Sequence, residues 1–70
     1  MKRKDFDDRI QMFKPGDSMV LHVRGMYGEY RVEGKLRKVD DRGFVYLDHG
    51  FAHSYRKITS MRRSALNVEL

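Results

Sequence analysis

Apolar residues near the start of the chain recur at spacings of four and three: Phe6, Ile10 and Phe13 form one stripe at helical period. Asp5, Asp7 and Asp8 sit early in that stretch, where a helix N-terminus favours negative charge. The spacing predicts an amphipathic helix from about Lys4 to Phe13. Pro15-Gly16-Asp17 ends it, because proline cannot continue the hydrogen bonding and disfavours helix in the residue before it. From Ser18 to Arg24 the period falls to two, with Met19, Leu21 and Val23 on one side and Val20, His22 and Arg24 on the other. Gly25-Met26-Tyr27-Gly28 makes a hairpin turn into the longest predicted strand, Glu29 to Val39.

In that second strand Tyr30, Val32 and Leu36 point one way with Gly34 between them, while Arg31, Glu33, Lys35 and Arg37 point the other. Glycine inside a strand commonly marks a bulge or a corner, so Gly34 predicts a bend. Asp40-Asp41-Arg42-Gly43 reads as a turn, Phe44 to Leu47 as a short strand apolar on both sides, and Asp48-His49-Gly50 as another turn. Phe51 to Lys57 alternates again, and Ile58 to Met61 extends into Arg62-Arg63. One helix followed by five short strands is a mainly β layout, that of a small five-stranded antiparallel barrel. The chain is expected to be a single domain over residues 1–70, with the strands within 18–63 and a flexible tail over 64–70.

Composition narrows the function classes. A domain of 70 residues buries only roughly 60% of the surface its unfolded chain exposes, and oligomerisation would supply more burial. There is no cysteine, hence no disulfide and no thiolate nucleophile or metal ligand. Neither a signal sequence nor a membrane span is legible, so a cytoplasmic location without membrane association is expected. Asp40-Asp41 are explained by a turn, Ser54, Thr59 and Ser60 lack recognisable partners for nucleophilic catalysis, and no glycine-rich phosphate loop opens a helix. No enzyme activity and no cofactor are expected. His22, His49 and His53 have no metal-ligand spacing and are read as structural or surface residues.

Charge gives the functional reading. The formal net charge is +5, and residues 31–63 hold nine basic against four acidic side chains, which accounts for all of it. Charges at alternate strand positions share a face, so a basic face is expected, led by Arg31, Lys35, Arg37, Arg56, Lys57, Arg62 and Arg63. Such a face would bind RNA or single-stranded DNA through phosphates, with Tyr27 in the hairpin turn and Tyr55 beside Arg56 as reachable stacking residues. The alternative is a protein-interaction module that docks through exposed strand edges.

Met19-Val20-Leu21-His22-Val23, then Val32-Glu33-Gly34-Lys35-Leu36, Asp40, Phe44-Val45-Tyr46-Leu47 and Tyr55-Arg56-Lys57-Ile58-Thr59-Ser60 follow the helix in an order that resembles the Sm-like fold. That group includes the bacterial RNA chaperone Hfq and the LSm proteins. The cadence from Val32 to Asp40 is similar in the same way to YolD-like proteins of Gram-positive bacteria and their phages, which for the protein-interaction alternative implies a bacterial or phage regulatory protein that binds a host protein. The Sm-like resemblance implies a ring of copies binding RNA, with Tyr55, Arg56 and Lys57 near a pore rim and Gln11 as a polar helix contact. Where Hfq closes with Tyr-Lys-His before Ala-Ile-Ser, this chain runs from Tyr55-Arg56-Lys57 directly to Ile58, without the histidine.

Overall fold

The structure, a computed structural model, describes residues 1–64. Helix α1 (Arg3–Ile10) precedes five strands: β1 (Ser18–Gly25), β2 (Gly28–Val39), β3 (Phe44–Leu47), β4 (Ala52–Ser54) and β5 (Ile58–Arg63). They form one antiparallel sheet in the order β4-β3-β2-β1-β5. The mainly β class, the five strands and the single N-terminal helix are as the periodicity predicts. The sheet curls without closing into a barrel: among the described residues β4 and β5 are its two edges and form no ladder with each other. No helix of the described residues is long and apolar enough to cross a membrane.

β2 belongs to both halves of the sheet. Residues 28–35 pair with β1, from Gly28 opposite Gly25 to Lys35 opposite Ser18. Beyond them, Leu36 faces Leu47 and Lys38 faces Tyr46, with a register shift between Leu36 and Lys38. An extra residue in one strand bends it and raises its twist. The bend also requires Gly34. A Cβ there would lie 2.6 Å from Asp48 Oδ1 and 3.4 Å from Leu47 Cβ, so the end of β3 crosses β2 where the backbone is bare. Asp48 fastens the crossing: its Oδ1 accepts from Lys35 N at 3.2 Å and its own N–H donates to Lys35 O at 2.9 Å.

Curling gathers the inner faces into one core of Phe6, Met19, Leu21, Val23, Leu36, Val45, Leu47, Ile58 and Met61. Phe6 is the helix's fully buried contribution, with Ile10 and Phe13 packed at the margin. Val20 is buried as well, but on the opposite face of β1, in register with Glu33 of β2 and Arg62 of β5.

Three expectations need correction at their boundaries. The helix stops at Ile10, and the chain turns over Gln11 and Met12 before the proline is reached. The fourth strand is only Ala52–Ser54, because Tyr55, Arg56 and Lys57 form a turn in which Lys57 N donates to Ser54 O at 3.0 Å and Ile58 N to Tyr55 O at 3.2 Å. Ser64, assigned to a flexible tail, is buried: its N–H donates to Ser18 O at 3.1 Å and its hydroxyl to Glu33. The rest of that predicted tail, 65–70, lies outside the described residues.

Two substitutions test this account by chemical denaturation. Phe6→Ala empties a fully buried ring site and is expected to cost about 3–5 kcal/mol. Gly34→Ala forces Asp48 aside and is expected to cost about 1–3 kcal/mol. In an Asp48→Ala background the same glycine change should cost measurably less, and strict additivity of the two would refute the crossing contact.

Candidate nucleic-acid interface

The outward face of β5-β1-β2 carries most of the strand charges read from the sequence. In register, Lys35 lies across from Ser18, Glu33 from Val20 and Arg62, Arg31 from His22 and Ser60, and Glu29 from Arg24. Cations and carboxylates therefore alternate along β2. Arg31 is already paired with Glu33, Nη2 to Oε1 at 3.0 Å. An exposed pair of this kind is worth only about 0–1 kcal/mol, but its charges cancel at the distance of a docking phosphate. The face is mixed in sign.

The remaining predicted residues separate. Arg37, at the bulge, borders a depression of about 370 Å³ with Lys38, Tyr46, Leu47 and Gly50. Arg63 is a clamp: Nη1 holds Asp17 Oδ2 at 2.9 Å, Nη2 donates to Met12 O at 2.6 Å, and the guanidinium lies 5.3 Å from the Phe13 ring centre. Tyr27 stands 98% exposed at the tip of the β1–β2 hairpin. Tyr55, Arg56 and Lys57 occupy the β4–β5 turn. The expected single basic face is thus divided, because β2 changes partner at the bulge and β5 ends against the loop after the helix.

Around Tyr55 the structure brings together what the sequence holds far apart. Arg3 of α1, Arg42 of the β2–β3 turn, Phe44 of β3 and Ser54, Tyr55 and Arg56 line a cleft of about 340 Å³. The Arg3 and Arg56 guanidiniums lie 5.2 and 5.8 Å from the Tyr55 ring centre, and Arg42 lies 5.1 Å from that of Phe44, all within cation–π range. Arg3 is aimed by two contacts, Nε to Asp7 Oδ1 at 3.0 Å and Nη2 to Asp41 O at 2.9 Å. Arg56 Nε donates to the Tyr55 hydroxyl at 3.4 Å. That hydrogen bond, with the charges of Arg56 and Arg3, holds the Tyr55 hydroxyl below its ordinary pKa against the opposing effect of burial.

The platform beneath Tyr55 is Gly43. It has φ +86°, and a Cβ on it would fall 2.6 Å from Tyr55 Cδ1 and 3.3 Å from Arg3 Nη1, so both its conformation and its lack of a side chain are required. Tyr55 N donates to Gly43 O at 2.9 Å, and Phe6 touches the ring from the core side at 5.8 Å between centres. Asp40 shapes the turn that presents Arg42. Its Oδ1 accepts from Phe44 N at 2.9 Å and Arg42 N at 3.0 Å, and its Oδ2 from the Tyr46 hydroxyl at 3.2 Å.

Arg56 also lines a second depression of about 470 Å³, with Arg24, Gly25, Met26 and Lys57. One side chain therefore joins two hollows, with Arg3 and Arg42 in one and Arg24 and Lys57 in the other. Sequence reasoning found Arg56, Lys57 and Tyr55 but missed Arg3, Arg24, Arg42 and Phe44 as site residues. A signal for Arg3 existed: it precedes Phe6 by three positions, which places it on the flank of the helix face that enters the core.

The histidines stand elsewhere. His22 Nδ1 is 2.9 Å from Ser60 Oγ, and His49 and His53 meet edge to face at 5.5 Å between ring centres. Burial, and then the neighbouring His49, keeps His53 below its usual pKa. They border an apolar hollow of about 460 Å³ lined also by Tyr30, Val32, Phe51 and Ala52. Among the described residues no group of three or more metal-ligating side chains is assembled.

Acid titration tests the turn. Hydrogen bonding from Phe44 N, then from Arg42 N and Tyr46, depresses the Asp40 pKa below 3.8, and donation from Lys14 N with the bond to Arg63 does the same for Asp17. The unfolded chain therefore binds more protons at low pH, so stability contributed by these groups is present above about pH 4 and is lost as pH falls through their lowered values. Unfolding followed from pH 5 to pH 2 should show this loss, and Asp40→Asn should flatten it. Comparison with family models, with curated proteins and with solved structures finds no match to this chain.

Proposed function

We propose that this protein is a small nucleic-acid-binding module that takes up single-stranded RNA or DNA across the β4–β5 turn, over Arg24, Lys57, Arg56, Arg3 and Arg42. The observation that carries this reading is the position of Arg56, which lines both hollows and so links five cations from α1, β1, the β2–β3 turn and the β4–β5 turn. Guanidinium forks bind phosphate bidentately, and their planar faces stack on bases. The strand order, the bend of β2 at Gly34 and the leading helix support the likeness to Sm-like proteins, with Tyr55, Arg56 and Lys57 on the binding end. Binding here is by phosphate and stacking, without base-edge readout, so weak sequence preference is expected.

A second reading, docking of a protein partner, draws on the apolar hollow beside Phe51, which is 70% exposed, and Tyr30, which is 49% exposed. Retention of a protein partner from lysate after nuclease treatment would favour it over the first.

Fluorescence anisotropy with a labelled uridine or thymidine 12-mer decides the first reading. Binding should weaken steeply with salt, each phosphate contact adding about −0.7 to the slope of log K against log salt. Arg56→Gln should weaken binding and lower the slope by roughly that amount, and Arg31→Gln should do less. Absence of salt-sensitive binding, or equal sensitivity to the two changes, would refute the proposed path.

A further inference from the structure

The cleft at Tyr55 differs from the rest of the basic path in how its charges are arranged and bounded. Along Arg24 and Lys57 the cations are spread over an open rim, as suits phosphates passing in series. At the cleft three guanidiniums, from α1, the β2–β3 turn and the β4–β5 turn, line one cavity of about 340 Å³. Several forks on one cavity serve a single anion of high charge better than a run of singly charged diesters.

The donors are available. Among the described residues, both Nη atoms of Arg56 and Nη1 of Arg42 have no acceptor in hydrogen-bond range, and Arg42 Nη2 reaches Asp40 only at 3.7 Å. Arg3 is paired with Asp7 as Arg31 is with Glu33, so it adds little net charge; with Nε and Nη2 engaged, it contributes one directed donor, Nη1, beside Gly43 and the Tyr55 ring. Ser54 Oγ, which accepts from Arg56 N at 3.2 Å, adds a hydroxyl able to donate its own proton.

Beyond Arg3 and Arg42 the path meets carboxylates. Asp40 and Asp41 occupy the same turn, and Asp7 is held by Arg3. The Arg3 bond to Asp41 O also ties the helix to the turn. A polyanion entering from Arg24 and Lys57 thus meets the three-arginine cleft where carboxylates begin.

We propose, on the basis of the single-strand reading above, that the Arg3–Arg42–Arg56 cleft binds the terminal phosphomonoester of a nucleic-acid strand. A monoester carries about −1.5 to −2 charges near neutral pH and three free oxygens, which suits the open Nη pair of Arg56 together with the single free Nη1 of Arg42 and of Arg3, whereas an internal diester offers one charge and two oxygens.

The test compares 3′-labelled 12-mers bearing a 5′-phosphate or a 5′-hydroxyl, and 5′-labelled 12-mers bearing a 3′-phosphate or a 3′-hydroxyl, at fixed salt. At least one phosphorylated end should bind roughly tenfold tighter than its hydroxyl counterpart, the gain of one added charge-assisted contact set. The pair that shows the gain identifies the end. Arg42→Gln, at a side chain that is 74% exposed, should bring the ratio near unity. Equal affinity for phosphorylated and hydroxyl ends, with salt-sensitive binding retained, overturns this inference and leaves the single-strand reading standing. Loss of binding to every strand overturns both. A phosphoserine peptide of the same net charge binding as tightly as the phosphorylated strand would overturn the assignment to nucleic acid.

Discussion

The crossing of β3 over β2 at Gly34 is the constraint on which the other contacts rest. A twelve-residue strand cannot serve two halves of a curled sheet unless it bends, and the bend is set by three local facts: no Cβ at Gly34, a register shift at Leu36–Lys38, and the Asp48 carboxylate bridging to Lys35 N. With that geometry, Leu36 and Leu47 face Met19 and Leu21 across one core, and the β2–β3 turn arrives beside the helix. The cleft around Tyr55 is a consequence of the same curl, since Arg42 reaches Arg3 only because β2 delivers its turn to that end.

Much of this was legible in the residues. Alternation of Met19, Leu21 and Val23 predicts an inner face that is fully buried, and the helical stripe led by Phe6 predicts the face that covers it. Phe44 to Leu47 is read correctly to the residue. Periodicity fails where turn chemistry competes with it. Tyr55 to Lys57 continues an alternating pattern, yet local hydrogen bonds from Lys57 to Ser54 and from Ile58 to Tyr55 close a turn there. Ser64 looks like tail by sequence position, but a backbone bond to Ser18 and a side-chain bond to Glu33 fasten it to the sheet.

The candidate site was less legible, for a physical reason. Counting charge along the chain finds a basic stretch, but a period of two assigns Glu29 and Glu33 to the same face as Arg31 and Lys35, and the pairing of Arg31 with Glu33 shows the result. The cationic convergence comes from turns and from the helix, where no short-range pattern applies. Arg3 and Arg56 are 53 positions apart and meet only over a tyrosine ring. Arg63 shows the converse: a residue chosen for its charge is spent on holding Asp17 and Met12.

The way α1 is held has a consequence for folding. Eight residues without a side-chain cap at Lys2 are too few to persist as a helix in water, so α1 exists only when docked. Docking rests on Phe6 and, through the loop that follows, on the Arg63 clamp more than 40 positions away. Helix formation is thus coupled through long-range contacts to the last strand. The guanidinium pocket is accordingly built from pieces of chain far apart in sequence, and any anion seated there draws its affinity from the folded state and returns it as a raised melting temperature through linkage.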